Sequence, residues 1–302
     1  MIKCVLYAGE LYSSAAKNTV ERYEQSGEIE IAGITADKRE AAKGYDLPFV
    51  DKSQLAQEKA DAVIILSQDW KRERVLEQKL METGVSYESI VPVSVMNLAG
   101  FDFVLYRKLR LHTPTIFSLN CMAGLIYHYM GLKFMSPIVK LRFTEPDYLR
   151  FLSDPGRYLS ADLYFGGIES VAYLGETYPV AVCEDIRISL VHYPSFEEGV
   201  KKWNLRKQRI DWNNLVVLYH SDTVEMVRRF AALPYERKAC FTGTRVEDPC
   251  VVQKQNVKMS ELNGAFFRNA VNNFFFTNNA DFNMFSFLAG EGDETLHKRS
   301  SL

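Results

Sequence analysis

The 302-residue sequence lacks the features that mark membrane and exported proteins. None of its apolar runs approaches the roughly 18 to 20 residues that a membrane-spanning helix needs. The amino terminus, MIKCVLYAG, leads straight into a strand-like run without the longer apolar segment and small-residue cleavage site of a signal peptide. We therefore expect a cytoplasmic protein without a membrane span.

A strong net charge is also missing. The chain has 36 Lys and Arg residues against 38 Asp and Glu residues, which leaves a net charge of -2. This balance disfavours nucleic acid and anionic membranes as partners, so any binding of anions must come from a local basic cluster. Hydrophobic residues at 47 % and charged residues at 25 % match the averages of globular domains, which argues against a disordered chain.

Cysteine and histidine are sparse and show no spacing typical of metal ligands. The five cysteines include no C-x-x-C pair, and their odd number fits reduced thiols better than a disulfide framework. Cys4, Cys183 and Cys240 lie in apolar runs, and we expect them to be buried. The five histidines show no His-x-x-x-His spacing, so no metal site is predicted.

The first 105 residues alternate apolar runs with helical stretches. The runs IKCVLYA, EIEIAGIT and DAVIILS are typical of strands in a parallel sheet that helices cover on both faces. We predict an α/β fold with two domains, namely a Rossmann-like domain over residues 1–105 and a larger α/β domain over residues 112–290. Residues 291–302 are predicted to form a polar tail.

A dinucleotide site in such a domain requires the pattern G-x-G-x-x-G after the first strand. Here Gly9 stands alone between Tyr7 and Tyr12. Asp37 follows the second strand, where a ribose-binding acid would lie, although a cap or turn residue is an equally good interpretation. Gly9 and Asp37 are the candidate cofactor-binding residues. The alternative to NAD binding is a structural or partner-binding domain, and the cofactor stays unknown.

The segment HYPSFEEGVKKWNLRKQRIDWNN contains most of the candidate binding residues. Ser195 and Glu198 have the spacing of a capping box and predict a helix that begins there. Beside the apolar stripe of this helix lies a basic flank of Lys202, Arg206 and Arg209. Guanidinium groups bind phosphate and carboxylate through paired hydrogen bonds, so the flank is a candidate anion site. The alternative is a solvated helix face paired with glutamates.

Five predicted strands of the second domain finish in polar pairs, and parallel strands would bring these pairs to one edge of a sheet. The pairs are Asn120/Cys121, Glu184/Asp185, His192/Tyr193, His220/Asp222 and Thr242/Arg245. The candidate catalytic residues among them are His192, Cys121 and Asp185, while Asn120 and Tyr193 are candidate substrate-binding residues.

Each catalytic candidate also has a structural alternative. His192 precedes a helix N-terminus and could exchange protons with an anion bound there, or it could be a structural histidine. Cys121 lies where a helix N-terminus lowers a thiol pKa, or it is a packed thiol in a tight turn. Asp185 could act as a base, or it is an exposed loop carboxylate.

The runs SLNCMAGLIYHYMGLKFMSPIVKL and HYPSFEEGVKKWNLRKQRIDWNNLVVL resemble a bacterial family of unknown function whose members accompany exopolysaccharide and capsule biosynthesis proteins. The resemblance covers about residues 112–245 and implies an α/β fold and a role in cell-surface polysaccharide assembly, but no reaction. Asn214 becomes a candidate binding residue because it matches this motif. Residues 1–95 resemble, more faintly, the nucleotide-binding-like domains of bacterial sugar-modifying enzymes.

Two functions follow from these observations. The first is a transferase that acts on a nucleotide-activated or phosphorylated sugar, with Lys202, Arg206 and Arg209 holding phosphate and His192 serving as acid or base. The second is a non-catalytic binding or scaffold protein of the polysaccharide machinery, with degenerate nucleotide-binding folds. Other polysaccharide-biosynthesis proteins are possible partners in both.

Overall fold

The computed structural model of the chain describes residues 1–9, 13–55, 60–171, 176–253, 271, 273–277 and 282–291. The chain folds into two units. The first consists of Met1–Leu111 with Tyr129–Gly131, and the second of His112–His128 with Leu132–Leu302. The domain boundaries proposed from the sequence remain predictions. The proposed polar tail lies outside the described residues except for Glu291.

The described residues of the first unit form one parallel sheet. Its strands are β1 (Ile2–Ala8), β2 (Ile29–Ala36), β3 (Ala62–Leu66) and β4 (Ile90–Pro92). Its helices are α1 (Ser14–Gln25), α2 (Trp70–Glu82), α3 (Val93–Met96) and α4 (Phe103–Leu111). The strand order is β2-β1-β3-β4, and all three pairings are parallel. Every residue of β3 is buried, as expected for a strand covered on both faces.

A buried arginine joins several elements of this first unit. Arg110 in α4 donates to Glu77 Oε1 at 3.1 Å and to the carbonyl of Tyr87 at 2.7 Å. Its Nη1 donates to the carbonyl of Gly131 at 3.1 Å, which ties residues 129–131 to this unit. The guanidinium also lies over the Tyr87 ring, 3.3 Å from the ring centroid. Arg110 therefore has a carboxylate partner as well as neutral ones.

The described part of the second unit contains two sheets. Its strands are β5 (Thr115–Ser118), β6 (Tyr164–Val171), β7 (Glu176–Cys183), β8 (Ile186–Ser189), β9 (Leu215–His220), β10 (Lys238–Thr242) and β11 (Val251–Gln253). Its helices are α5 (Met122–Tyr129), α6 (Glu145–Ser153), α7 (Pro155–Ser160), α8 (Phe196–Lys207), α9 (Val224–Ala231) and α10 (Met284–Ala289). One sheet is parallel with the order β11-β10-β9-β5, and the other is antiparallel with the order β6-β7-β8.

The predicted α/β class with parallel strands is confirmed, but the antiparallel sheet contradicts one expectation. Glu184 and Asp185 form the turn between antiparallel β7 and β8, and His192 and Tyr193 follow β8. These two pairs therefore do not lie at the carboxyl edge of the parallel sheet. The other three pairs follow β5, β9 and β10, whose parallel pairing places them at one edge.

A large hydrophobic core lies in the second unit. It includes Phe117 from β5, Val217 from β9, Ala181 from β7 and Trp203 from α8, so both sheets and the helix contribute to it. The prediction that Cys183 is buried is confirmed, and Cys4 and Cys240 are buried as well. No helix in the described ranges combines the length and the apolar content that crossing a membrane would require.

Glycine at position 199 permits the close packing of α8. A Cβ added there would lie 2.6 Å from Leu190 Cδ1, whereas one at Gly156 in α7 would meet only Asp154 Oδ1 at 3.7 Å. Overpacking costs about 1 to 3 kcal/mol, against at most about 1 kcal/mol gained from helix propensity. We expect Gly199→Ala to lower the free energy of unfolding by about 1 kcal/mol.

The control for this change is Gly156→Ala, which should leave the free energy of unfolding unchanged or slightly higher. Both variants are measured by denaturant unfolding. Equal stability of the two variants would show that the contact between α8 and Leu190 tolerates a methyl group.

Candidate functional site

A loop, a turn and a helix meet at the main-chain carbonyl of Val139. This carbonyl accepts hydrogen bonds from the Tyr193 hydroxyl at 3.2 Å and from Arg206 Nη1 at 3.1 Å. Arg206 Nη1 also donates to the Tyr193 hydroxyl oxygen at 2.7 Å. The Val139 side chain packs on α5, where a Cβ at Gly124 would lie 3.1 Å from it. We call Val139, Tyr193 and Arg206 the Val139 cluster.

Arg206 is a buried cation without a carboxylate partner among the described residues. The residue is only 9 % exposed, and its guanidinium donates hydrogen bonds to a carbonyl and a phenol, which are both neutral. Burial raises the pKa of Tyr193, although Arg206 acts in the opposite direction, so the phenol stays protonated. Nη1 makes both bonds, which leaves Nε and Nη2 as a fork of parallel donors. This fork matches two oxygens of a phosphate or carboxylate.

The predicted basic flank is corrected in two respects. Arg206 lies on the buried side of α8 with Trp203, not on an exposed flank. Arg209 follows the end of the helix, is exposed, and donates to the carbonyl of Phe134 at 3.2 Å. Lys202 is half-buried one turn before Arg206 and has no ion-pair partner in the described part of the chain. Like charges one helical turn apart repel each other, so an anion beside Arg206 and Lys202 would be stabilising.

Two tight turns border the Val139 cluster, and each holds a basic residue in the left-handed backbone region. The turn over residues 138–141 has Lys140 as its third residue with φ +66°, and the turn over 190–193 has His192 there with φ +67°. Glycine is favoured at this position of type II turns. His192 is exposed, directly before Tyr193 in the chain. Basic residues thus occupy two positions beside the cluster at which glycine would adopt the left-handed backbone with less strain.

Cys121 lies near the cluster, and its burial favours the packed thiol over a reactive one. Burial raises the pKa of the thiol to about 11, against the opposing effect of Arg142 and Lys140. Its Sγ lies 3.9 Å from the carbonyl oxygen of Leu141. At neutral pH the side chain is therefore a thiol and not a nucleophilic thiolate.

Asn120 faces the buried imidazole of His220 across neighbouring strands. Its Oδ1 accepts from Met122 N at 3.1 Å, which orients Nδ2 toward His220 Nε2, also at 3.1 Å. Because the amide nitrogen is a donor, His220 Nε2 is the acceptor and Nδ1 carries the proton. Burial lowers the pKa of His220 to about 4, although Asp222 acts in the opposite direction. Asn120 thus has a structural role in the parallel sheet.

Other polar groups at this carboxyl edge also bond to each other. Tyr219 and Ser221 donate to Glu145 Oε2 at 2.6 Å and 2.7 Å, and Gly243 N donates to Asp222 Oδ1 at 3.0 Å. The usual ligand position of α/β sheets is therefore occupied by internal hydrogen bonds at these residues. The cationic groups lie instead around α8 and the loop over residues 138–142.

Two further candidates lie away from the Val139 cluster. Asp185, in the β7–β8 turn, accepts from the Tyr158 hydroxyl at 2.8 Å and pairs with Arg157 at 3.4 Å. Asn214 precedes the amino end of β9, opposite the edge of Asn120, and its side chain bonds to the carbonyl of His112 and to Arg237. The structure does not bring either residue to the cluster.

The two cofactor candidates lie in the first unit. A Cβ at Gly9 would lie 3.4 Å from Arg72 Nε, and residues 10–12, including Tyr12, are outside the described ranges. Asp37 accepts from the Tyr7 hydroxyl at 2.6 Å, Lys52 at 2.7 Å and Lys79 at 2.5 Å. Burial alone would raise its pKa, but these bonds hold the pKa well below its usual range. The Asp37 carboxylate is thus engaged within the protein.

Among the residues with described positions, no group of three or more His, Cys, Asp or Glu side chains could hold a metal ion. Val139 and Arg142 were not predicted as site residues from the sequence, because a main-chain acceptor and a single loop arginine have no motif of their own. The only signal was the run MSPIVKL within the family-like segment.

The profile of one protein family matches residues 93–286 of the chain, and that family is described as a domain of unknown function (DUF1919). The chain is also similar to an uncharacterized protein of Haemophilus influenzae, with 33 % identity over 141 residues. This match covers 46 % of the chain and 66 % of the relative, which is less than two thirds of the relative's length. Neither description states an activity.

The two left-handed basic residues give a test of stored backbone strain. A left-handed residue other than glycine costs about 1 to 2 kcal/mol, part of which the greater chain entropy of glycine cancels. We expect His192→Gly and Lys140→Gly each to raise the free energy of unfolding by about 0.5 kcal/mol. His192→Ala and Lys140→Ala are the controls and should give no gain. Urea unfolding that shows the glycine variants no more stable than the alanine variants would contradict this.

The buried imidazole gives a test that depends on pH. The folded-state pKa of His220 is about 4, below the value of about 6.5 in unfolded chains, so its contribution is complete above pH 6.5 and is lost as the pH falls toward 4. We expect the wild type to lose up to about 3 kcal/mol relative to His220→Gln over this window. Denaturant unfolding at several pH values measures the difference between the two proteins. A difference that stays constant with pH would contradict the assignment.

Proposed function

The chain belongs to the DUF1919 family, and from that premise and the open donor fork of Arg206 we propose that it is a transferase acting on a phosphorylated or nucleotide-activated sugar in cell-surface polysaccharide biosynthesis. The observation that carries this proposal is a buried guanidinium whose hydrogen-bond partners among the described residues are all neutral. A buried charge is costly unless it is paired. A phosphate on Nε and Nη2 would supply the missing counter-charge.

The roles of the neighbouring residues follow from their positions. Arg206 and Lys202 would bind the phosphate of the donor sugar, and Tyr193 would keep the guanidinium oriented through its bond to Nη1. His192, exposed and adjacent to Tyr193, would accept the proton of the attacking acceptor group. Cys121 as a catalytic nucleophile is not part of the proposal, because burial raises its pKa.

The first unit is proposed to be a Rossmann-like accessory domain. Its all-parallel order β2-β1-β3-β4 supports this, since such sheets bind ligands beyond their carboxyl ends. Because Asp37 already bonds to two lysines and a tyrosine, NAD binding through this carboxylate is disfavoured. A nucleotide held by backbone groups alone remains compatible with the proposal, as does a cytoplasmic location.

A non-catalytic binding or scaffold protein is the second candidate. The internal hydrogen bonds of His220, Ser221 and Asp222 at the carboxyl edge favour it, since these bonds engage the polar groups that catalysis there would need. Both candidates bind an anion at Arg206. They differ in turnover, which is measured as release of nucleotide or phosphate from the bound sugar compound in the presence of acceptor glycans.

The binding test uses isothermal titration with inorganic phosphate, glucose 1-phosphate and a uridine diphosphate sugar. Loss of a buried charge-assisted contact costs about 2 to 5 kcal/mol, so Arg206→Ala should weaken binding by about 30-fold or more. Arg206→Lys keeps the charge without the fork and should also weaken binding. Arg209→Ala removes an exposed cation from the same region and should have little effect.

Folding of each variant is checked by circular dichroism and thermal unfolding, because Arg206 also ties Val139 to Tyr193. Arg206→Lys retains a donor for these groups and keeps the test valid if Arg206→Ala unfolds. Binding of phosphate compounds that survives in a folded Arg206→Lys variant at wild-type strength would refute the role of the fork.

A further inference from the structure

A second set of cations lies on the loop that supplies the Val139 carbonyl. Lys140 and Arg142 both act electrostatically on the Cys121 thiol, whose Sγ lies 3.9 Å from the carbonyl oxygen of Leu141 between them. The backbone of Arg142 is fixed by two hydrogen bonds with Ser189, at 3.0 Å and 2.8 Å. The residues on either side of Arg142, Leu141 and Phe143, are buried, whereas Arg142 itself is only half-buried. Arg142 is therefore anchored by its main chain and has a side chain that reaches accessible space.

Neither Lys140 nor Arg142 has a carboxylate partner among the described residues. The ion pairs described in the second unit all involve other residues: Arg150 with Asp147, Arg157 with Glu184 and Asp185, Arg187 with Glu169, and Arg245 with Glu247. Lys140, Arg142, Lys202 and Arg206 thus have no acidic partner within the described ranges, in a chain whose net charge is -2.

The main chain that carries the second set lies close to Arg206. Val139 binds Arg206 through its carbonyl, Lys140 is the next residue, and Arg142 follows within three residues. Three peptide units span at most roughly 11 Å, and the turn over residues 138–141 shortens this distance. The Tyr193 hydroxyl bonds to the Val139 carbonyl and to Arg206 Nη1, next to the loop that carries Lys140 and Arg142.

We propose that the ligand carries two linked anionic groups, one held by Arg206 and Lys202 and the other by Arg142 and Lys140. This inference rests on the proposed function and narrows its substrate class. A sugar monophosphate would satisfy only one set of cations. A diphosphate-linked compound, such as a nucleoside diphosphate sugar, satisfies both, with the Val139 peptide between the two anionic groups.

The test compares inorganic phosphate with pyrophosphate by isothermal titration at fixed ionic strength without divalent metal. In the wild type, pyrophosphate should bind about tenfold or more tightly than phosphate, because each additional charge-assisted contact contributes at least about that factor. Arg142→Ala should abolish this advantage and leave phosphate affinity unchanged. Lys140→Ala should reduce the advantage in part. Arg206→Lys should weaken both ligands.

The matched control is Arg245→Ala, which removes an exposed arginine with an acidic partner and should leave both affinities unchanged. Arg142 is half-buried and its hydrogen bonds with Ser189 are main-chain bonds, so its alanine variant should fold, which thermal unfolding checks. If a free nucleoside diphosphate binds with the same affinity as pyrophosphate, the two phosphates and not the nucleoside account for the binding.

Three results would overturn the inference. If phosphate binds the wild type and pyrophosphate binds no more tightly, the second subsite is absent while the proposed function stands. If Arg142→Ala weakens both ligands equally, Arg142 belongs to the first subsite. If neither ligand, nor any sugar phosphate, binds the wild type, both the inference and the proposed function fail.

Discussion

The Val139 carbonyl is the one acceptor on which the second unit's candidate site depends. A carbonyl oxygen has two lone pairs, and here one is used by the Tyr193 hydroxyl and the other by Arg206 Nη1. This arrangement fixes a loop, a turn and a helix relative to one another. Because these donors bond to each other as well, displacing any one of the three groups leaves the remaining two incompletely satisfied in a buried environment.

The electrostatic consequence is a contrast between two buried arginines of the chain. Arg110 has a carboxylate, two carbonyls and an aromatic ring as partners, which together account for its burial as a structural element. Arg206 has a carbonyl, a phenol and the Phe134 ring at 5.7 Å, and its positive charge has no carboxylate counterpart among the described residues. Placing an unpaired ion in a protein interior costs on the order of several kcal/mol. An anionic ligand is the simplest group that would offset this cost.

The fold class and many local elements could be predicted from the sequence, because periodicity and capping act over a few residues. The helix after Ser195 begins where its cap was predicted, with the Ser195 hydroxyl accepting from Glu198 N. The order of strand pairing could not be predicted. Whether β7 and β8 pair in parallel or antiparallel depends on connection length and on a turn whose Glu184 takes a positive φ. The sequence analysis assumed parallel strands, and it therefore expected Asp185 at the carboxyl edge of the parallel sheet rather than in the β7–β8 turn.

The sequence by itself determined which residue types were available: a basic helix, a turn with His192, and the family-like segments around Cys121 and Pro137. Only the tertiary structure decided that Arg206 is buried away from the described carboxylates and that burial raises the pKa of the Cys121 thiol. The physical reason is that charge state and burial depend on groups that are distant in the chain. Val139 lies 67 residues before Arg206, and no local pattern encodes their hydrogen bond.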